Sequence, residues 1–529
     1  MSLRYQILEN CFKFKDEIAL DCFDKQLCYK DLALYAIALK KLYTKYNTQK
    51  IGVLGNREST SYISILASVF AQKTFIPLNI RFPVKKLAFI LEKSDLDSIY
   101  IAHDALDIAI NLLKDSTIKY TIYARSDTVL KLKESGICAI FVDIDLIFNN
   151  NLDIKDKDYK EFLDINYKDV IENEYKSLYI IFTSGTTGDP KGVEISCFNM
   201  LSYLKATKSA LNLKSTDIIS QLSDLTFDLA QADIFNSFFN GATLIVVPPQ
   251  YLFTFIPYLK DKRVSVCQIV PSAITLQQKF SLLDNGALPD LRVGIFIGEA
   301  LHSNQAKALQ DSAPQSSIYN MYGPTEATVA VSYYKYDKNV DTKGIVPIGY
   351  ALDGVSLALI NDKNEIVCDK GEIVISGKQL SKGYYKNDIK NKQSFFYINN
   401  ERYYKTGDIG SYLKRDDKLI LIYHGRFDDE IKINGFRVSL LEIDEAFSTI
   451  SNLSCLAIAN VDEMNVVKSI SLVIQDNGTI IDKKAIKTQL SHILPYYMLP
   501  QDIILVDEIP HNTNGKLDRK ALMSKLKEM

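Results

Sequence analysis

The chain has 529 residues, 47% of them hydrophobic, with 62 basic and 64 acidic side chains for a formal charge of −2. That is enough length for about two to four domains and enough apolar material for a large core, which excludes a disordered or fibrous chain. No single-sign field exists to draw in nucleic acid or an anionic membrane.

Short β-rich apolar runs alternate with helical patterns along most of the chain. Asp31 is positioned to cap a helix whose apolar face is Leu32, Tyr35, Ala36, Leu39 and Leu42. The run 51–55 (IGVLG) reads as a buried strand, 61–72 as a helix and 75–78 (FIPL) as a further strand. Residues 98–102, 242–247 and 293–298 continue the strand series. Such alternation predicts α/β layers with largely parallel sheets. Near the C-terminus, 454–461 and 469–475 read as strands and 483–494 as a helix, giving a small α+β module. The charged stretch 425–432 (GRFDDEIK) is the junction, and it also fits an ordinary surface loop.

The eight cysteines, Cys11, Cys22, Cys28, Cys138, Cys197, Cys267, Cys368 and Cys455, form no CxxC pair. Neither a disulfide framework nor a zinc site is expected, and a reducing compartment fits. The N-terminus carries Glu9, Lys13, Lys15, Asp16 and Glu17 where a signal core would be apolar. No apolar run reaches the ~18 residues of a membrane span. The expectation is a cytoplasmic protein with no membrane or nucleic-acid partner.

The stretch 180–192 (IIFTSGTTGDPKG) carries the most chemistry. A strand end, Ile180–Phe182, leads into Thr183, Ser184, Gly185, Thr186, Thr187, Gly188 and Lys191. Glycines let backbone N–H groups approach an anion, and the hydroxyls and lysine add donors suited to a triphosphate. It is not a Walker loop, because the GxxxxGK spacing is absent.

Further motifs follow in order. They are NMYGPTEAT (320–328), YKTGDIG (404–410), GRFDDEIKINGFRVSLLEID (425–444), LPYYMLP (494–500) and NGKLDRKAL (514–522). With the loop they resemble the ordered signatures of the acyl-adenylate-forming superfamily. YKDL (29–32) and FIPLNIRFP (75–83) extend the likeness toward the N-terminus. Within that superfamily the chain is similar to amino-acid adenylation domains of nonribosomal peptide synthetases and to stand-alone D-alanine–carrier protein ligases.

The resemblance implies a large N-terminal α/β domain, 1–427, with layered sheets and helices, and a small mobile α+β lid, 428–529. It implies ATP and Mg²⁺. Loop 183–191 would hold the β- and γ-phosphates, with Asn320, Gly323 and Thr325 in the nucleotide site. Thr187 and Glu326 would place the metal. Tyr322 would pack on adenine, Asp408 would accept from the ribose hydroxyls, and Arg426 would lie near ribose and phosphates. Lys516 would bridge the attacking carboxylate and the α-phosphate. Asp428 would be the hinge, and the loop near Gly435 would face a tunnel for a phosphopantetheine arm.

Residues 227–244 resemble the Phe-Asp motif of the amino-acid enzymes, with Asp228 set to pair with the substrate α-ammonium; as a residue alone, Asp228 also fits a helix cap. By the same likeness Leu229, Ala232, Gln268, Ile295, Ile297, Met321, Val329 and Ala330 line the side-chain pocket. None is charged, so a neutral side chain is expected. Gln268 either reads one hydrogen bond or is a satisfied core amide. Ile297 is bulkier than the cysteine usual in D-alanine enzymes, which disfavours D-alanine. The sequence also departs from the common pattern at Cys197 (often His), Glu430 (often Gln) and Asn434 (often Arg). Seven residues follow the last motif, so a free-standing enzyme loading a separate phosphopantetheinylated carrier protein is expected. Two alternatives stay open on the sequence. One is an acyl-CoA or aryl-acid ligase of the superfamily, against which Asp228 counts. The other is a non-catalytic nucleotide-binding scaffold, against which Lys516, Glu326 and Asp408 count.

Overall fold

The structure is a computed structural model describing residues 2–148, Tyr159, 173–183, 190–415, 417–427, 430–451, 453–462, 467–476, 478, 481–510 and 517–528. The chain forms two compact units. The first is Met1–Ile80, Leu91–Ile181 and Gly192–Gly425; the second is Arg81–Ile90, Phe182–Lys191 and Arg426–Met529.

The first unit is built on two large, mostly parallel sheets. The nine-stranded sheet runs Tyr350–Ala351, Ser332–Lys335, Ser317–Tyr322, Val293–Phe296, Val266–Ile269, Ile218–Gln221, Thr243–Val246, Ile18–Asp21, Gln26–Cys28. The middle strands are parallel and the edges antiparallel. The eight-stranded sheet runs Gly383–Tyr384, Lys191–Ser196, Ser177–Thr183, Thr74–Leu78, Lys50–Leu54, Ser98–Ile101, Thr121–Ala124, Ile140–Asp143. Thr74–Leu78 and Ser98–Ile101 are buried at every residue. Strands covered on both faces read as continuous apolar runs rather than alternating ones, which is why the sequence patterns locate them.

Helices Leu3–Lys13, Tyr29–Lys45, Ser59–Ala71, Cys197–Leu211 and Asp228–Asn240 share one apolar cluster with Leu20, Val246 and Ile295 of the first sheet and Ile51, Phe75 and Tyr179 of the second. They form the layer between the sheets. Asp228–Asn240 is buried at every residue, so it has no solvent face at all. The far side of the nine-stranded sheet is covered by Phe255–Asp261, Pro271–Lys279 and Ser303–Ser312, through Ile256, Ile274, Leu309 and Phe296. A six-stranded antiparallel sheet of residues 355–426 completes the unit.

One expected detail is corrected. Asp31 does not cap its helix: the helix begins at Tyr29, and the Cys28 sulfur accepts the Asp31 amide at 3.5 Å. Asp31 sits in the first turn, where its charge still suits the helix dipole.

The second unit packs a hairpin (Glu430–Ile433, Phe436–Ser439), a three-stranded sheet (Cys455–Val461, Val467–Gln475, Asp502–Val506) and helices Leu440–Ser448 and Lys483–Ser491 around Val438, Ile443, Phe447, Leu472 and Leu490. The hairpin tip is Asn434–Gly435, both with positive φ (50° and 79°). That two-residue turn favours Asn-Gly, which gives Asn434 a local structural reason. Among the described residues no helix is long and apolar enough to cross a membrane.

Candidate active site

The strand Ser317–Tyr322 ends at the carboxyl edge of the nine-stranded sheet, where open α/β sheets bind ligands. The chain then turns sharply through Gly323–Val331. Val331 N–H returns to the Tyr322 carbonyl at 2.7 Å, and Ala330 N–H bonds the Thr328 carbonyl at 2.9 Å across Val329. Thr328 and Val329 have φ of 58° and 68°. A left-handed β-branched residue is strained, and strain of this kind persists only where the surroundings fix it. Here the Thr328 hydroxyl donates to the Gln379 carbonyl at 2.6 Å. A Cβ on Gly323 would lie 2.6 Å from both the Ala330 Cα and the Val329 oxygen. Gly323→Ala is expected to destabilise the protein by about 1–3 kcal/mol, read as a lowered urea midpoint.

This turn carries Thr325 and Glu326 to the start of helix Asp228–Asn240. Asp228 is its first residue and is buried. Phe227 is the cap residue, and its side chain supplies no capping hydrogen bond. The Asp228 carboxyl is pushed up to about 6 by burial, opposed by a hydrogen bond from Thr325, with Glu326 adding to the rise. Glu326, 1% exposed, accepts the Tyr384 hydroxyl at 2.7 Å, and Tyr384 meets the Tyr404 hydroxyl at 3.3 Å. The loop before Asp228 is fixed by buried Arg57. Its Nη1 donates to the carbonyls of Gln221 (3.1 Å) and Val247 (3.0 Å), and its Nη2 to those of Leu222 and Ser223.

Tyr322 and Asp408 meet directly: the hydroxyl donates to the carboxylate at 2.6 Å. Tyr423 lies beside the Tyr322 ring at 6.3 Å between centroids. Burial, with the Asp408 charge adding to it, pushes the Tyr322 hydroxyl well above its ordinary range. Asn320 gives its amide hydrogens to the Val346 and Pro347 carbonyls, at 3.0 and 2.9 Å, so its side-chain nitrogen works for the fold. Leu229, Ala232, Ile295, Ile297, Met321, Val329 and Ala330 are all buried in the same apolar cluster. Gln268 donates to the Leu229 carbonyl at 3.1 Å and to Asp233 at 3.3 Å, so its nitrogen is a satisfied core group.

The second unit holds its own charged group. Thr183 donates to the Lys191 carbonyl at 3.5 Å, closing the base of the glycine-rich loop. Arg426 donates to Glu430 at 2.8 Å, and Arg437 bonds the same carboxylate. Burial alone would raise the Glu430 carboxyl, but Arg437 and Arg426, helped by Lys191, hold it below the ordinary range. Ser184, Gly185, Thr186, Thr187, Gly188, Asp428 and Lys516 lie outside the described residues.

A family model of AMP-binding enzymes matches residues 8–385, well over half the chain. The chain belongs to the AMP-binding enzyme family. Its similarity to curated members runs end to end. A D-alanine–D-alanyl carrier protein ligase of Bacillus cytotoxicus is 29% identical over 99% of this chain and 100% of its own. One from Bacillus cereus is 28% identical over the same shares. The Vibrio cholerae adenylation domain AlmE, solved with glycyl-adenosine-5'-phosphate, superposes with a TM-score of 0.90 at 28% identity, covering 100% of this chain and 98% of that one.

Three residues at the site of this AMP-binding enzyme escaped the sequence reading. Tyr384 and Tyr404 stand in the tyrosine pairs of KGYYKN (382–387) and RYYKTGD (402–408), and Arg57 precedes a helix start. Doubled tyrosines beside glycine motifs were the available signal; Arg57 gave none. Tyr384→Phe removes a hydroxyl donor from buried Glu326 and is expected to cost about 1–3 kcal/mol of stability, measured by chemical denaturation.

Proposed function

We propose that this AMP-binding enzyme activates a small neutral amino acid with ATP, forming aminoacyl-AMP and releasing pyrophosphate, and then passes the aminoacyl group to the phosphopantetheine thiol of a separate carrier protein. The observation that carries this reading is Asp228. Burial beside Thr325 makes the Asp228 charge costly, a cationic partner offsets that cost, and a substrate α-ammonium is the natural one. The curated relatives act, by name, on D-alanine and a D-alanyl carrier protein, and AlmE holds a glycyl adenylate; both amino acids are small and neutral. The uncharged pocket set Leu229, Ala232, Gln268, Ile295, Ile297, Met321, Val329 and Ala330 agrees with that class.

In this reading the substrate carboxylate attacks the α-phosphorus and pyrophosphate leaves. Two anions must meet, so catalysis is placement plus positive charge. Lys516 supplies charge where the carboxylate joins phosphorus. Loop residues 183–191, including Thr187 and Lys191, hold the departing phosphates, and Arg426 stands near the ribose. Tyr322 packs on adenine while Asp408 accepts from the ribose hydroxyls. Glu326 fits a magnesium ligand: it is a buried carboxylate that accepts from Tyr384, and the two oxygens of a carboxylate can hold several partners at once. Magnesium, when bound by Glu326 and Thr187, neutralises charge on the leaving pyrophosphate. Residues 428–529 form the lid, with the hinge at Asp428. A cytoplasmic setting suits all of these substrates.

The test is carrier loading. The protein, ATP, Mg²⁺ and glycine or alanine are incubated with a phosphopantetheinylated carrier protein and with its apo form, and both are weighed by intact mass. A gain of one aminoacyl group on the holo form alone is expected. Loading of coenzyme A with an acid lacking the amine, and no carrier loading, would contradict the reading.

A further inference from the structure

Resting on the amino-acid reading above, we propose that Asp233 is a positioning residue for substrate selection: it locks the Gln268 amide so that only the Gln268 carbonyl oxygen remains for the bound amino acid. Gln268 is the third residue of the strand Val266–Ile269, and its backbone is paired with Ile295 on the neighbouring strand. Its Nε2 lies 3.1 Å from the Leu229 carbonyl and 3.3 Å from Asp233 Oδ1. The Leu229 carbonyl can only accept, which fixes the amide with its nitrogen toward helix Asp228–Asn240. Both amide hydrogens are thereby spent, and Oε1 is the one polar atom of the side chain left for a ligand.

Asp233 itself is buried, 3% exposed, five residues after Asp228 on the same helix. No hydrogen bond reaches its Oδ2 among the described residues. Burial holds its carboxyl well above the ordinary range, with Arg57 pulling the other way. Its Oδ1 accepts from Gln268, and burial favours the uncharged form of the carboxyl. An ionisable group kept in so apolar a place needs a reason beyond packing. The bond to Gln268 supplies one. It ties the second turn of the Asp228 helix to the strand across the pocket, fixing the distance between the group that holds the ammonium and the group that meets the side chain. An acceptor oxygen suits glycine, alanine or a hydroxyl-bearing serine. It disfavours a larger hydrocarbon, which would strip the oxygen of partners.

The experiment is ATP–pyrophosphate exchange with glycine, both alanines, serine and valine, on wild type, Asp233→Ala, Asp233→Asn, Gln268→Ala and the Asp233→Ala/Gln268→Ala double variant. Asp233→Ala is expected to raise KM for the preferred amino acid about tenfold and to narrow its preference over valine, with KM for ATP unmoved. Asp233→Asn keeps the acceptor and is expected to recover most of the loss. On the Gln268→Ala background, losing Asp233 is expected to add less than twofold, because both changes break one unit. Additive effects, or an Asp233→Ala enzyme with wild-type selectivity, overturn the proposal while leaving the amino-acid reading intact. If Asp233→Ala fails to fold, Asp233→Asn decides: loss of selectivity there contradicts a role through the acceptor oxygen. A wild type silent with every amino acid, but active on acids lacking the amine, overturns the reading on which this rests.

Discussion

Asp228→Asn is expected to lower kcat/KM for the amino acid by a factor of about 10²–10³ while raising the stability of the ligand-free protein. The first effect follows from stranding a buried ammonium without its counter-ion, which costs about 3–5 kcal/mol. The second follows from linkage. The folded carboxyl sits at about 6 against an ordinary 3.8, so the folded chain binds the proton more tightly than the unfolded one. Stability therefore falls as pH rises from 3.8 to about 6, and above that window the buried charge costs about 3 kcal/mol. Asparagine removes that cost if it keeps the Thr325 contact. The same group sets a pH profile: kcat/KM for the amino acid should fall about tenfold per pH unit below about 6, because a protonated Asp228 cannot pair with an ammonium. Denaturation and exchange measured on the same variant check both halves. Equal losses for an amino acid and its des-amino analogue would remove the ammonium role from Asp228.

Lys516→Ala is expected to slow adenylation by about 10²–10³ with ATP affinity nearly unchanged, since its charge is needed where carboxylate and phosphate join rather than for holding the nucleotide. Transfer from supplied aminoacyl-adenylate to the carrier thiol should be spared, because the lysine serves the first half-reaction only. Single-turnover kinetics of the two steps, with calorimetric titration of ATP, separate these outcomes. An unchanged exchange rate would take Lys516 out of the chemistry.

The strands at Lys50–Leu54, Thr74–Leu78 and Val293–Phe296 were legible because parallel strands covered on both faces are plain apolar runs. The turn holding Thr325 and Glu326 was legible as a motif, though its strain was not: nothing local marks Val329 for a left-handed φ of 68°. Helix caps were less readable, as Cys28, three residues earlier, took the place of the better-suited Asp31. Least legible were contacts across long stretches of chain. Tyr384 meets Glu326 over 58 residues, Arg57 holds Gln221 over 164, and Gln268 reaches Asp233 over 35. Each depends on which strands become neighbours, which composition and periodicity do not encode. The uncharged character of Leu229, Ala232, Ile295, Ile297, Met321, Val329 and Ala330 was readable residue by residue; the orientation of the Gln268 amide needed the Leu229 carbonyl in place.

The claim that matters most is that this AMP-binding enzyme adenylates an amino acid rather than another acid. ATP–pyrophosphate exchange on the purified full chain, against the proteinogenic L-amino acids, D-alanine, β-alanine and a set of fatty and aryl acids, tests it directly. A strong signal confined to one or a few small neutral amino acids is the expected result; exchange driven only by acids without an α-amine would contradict it.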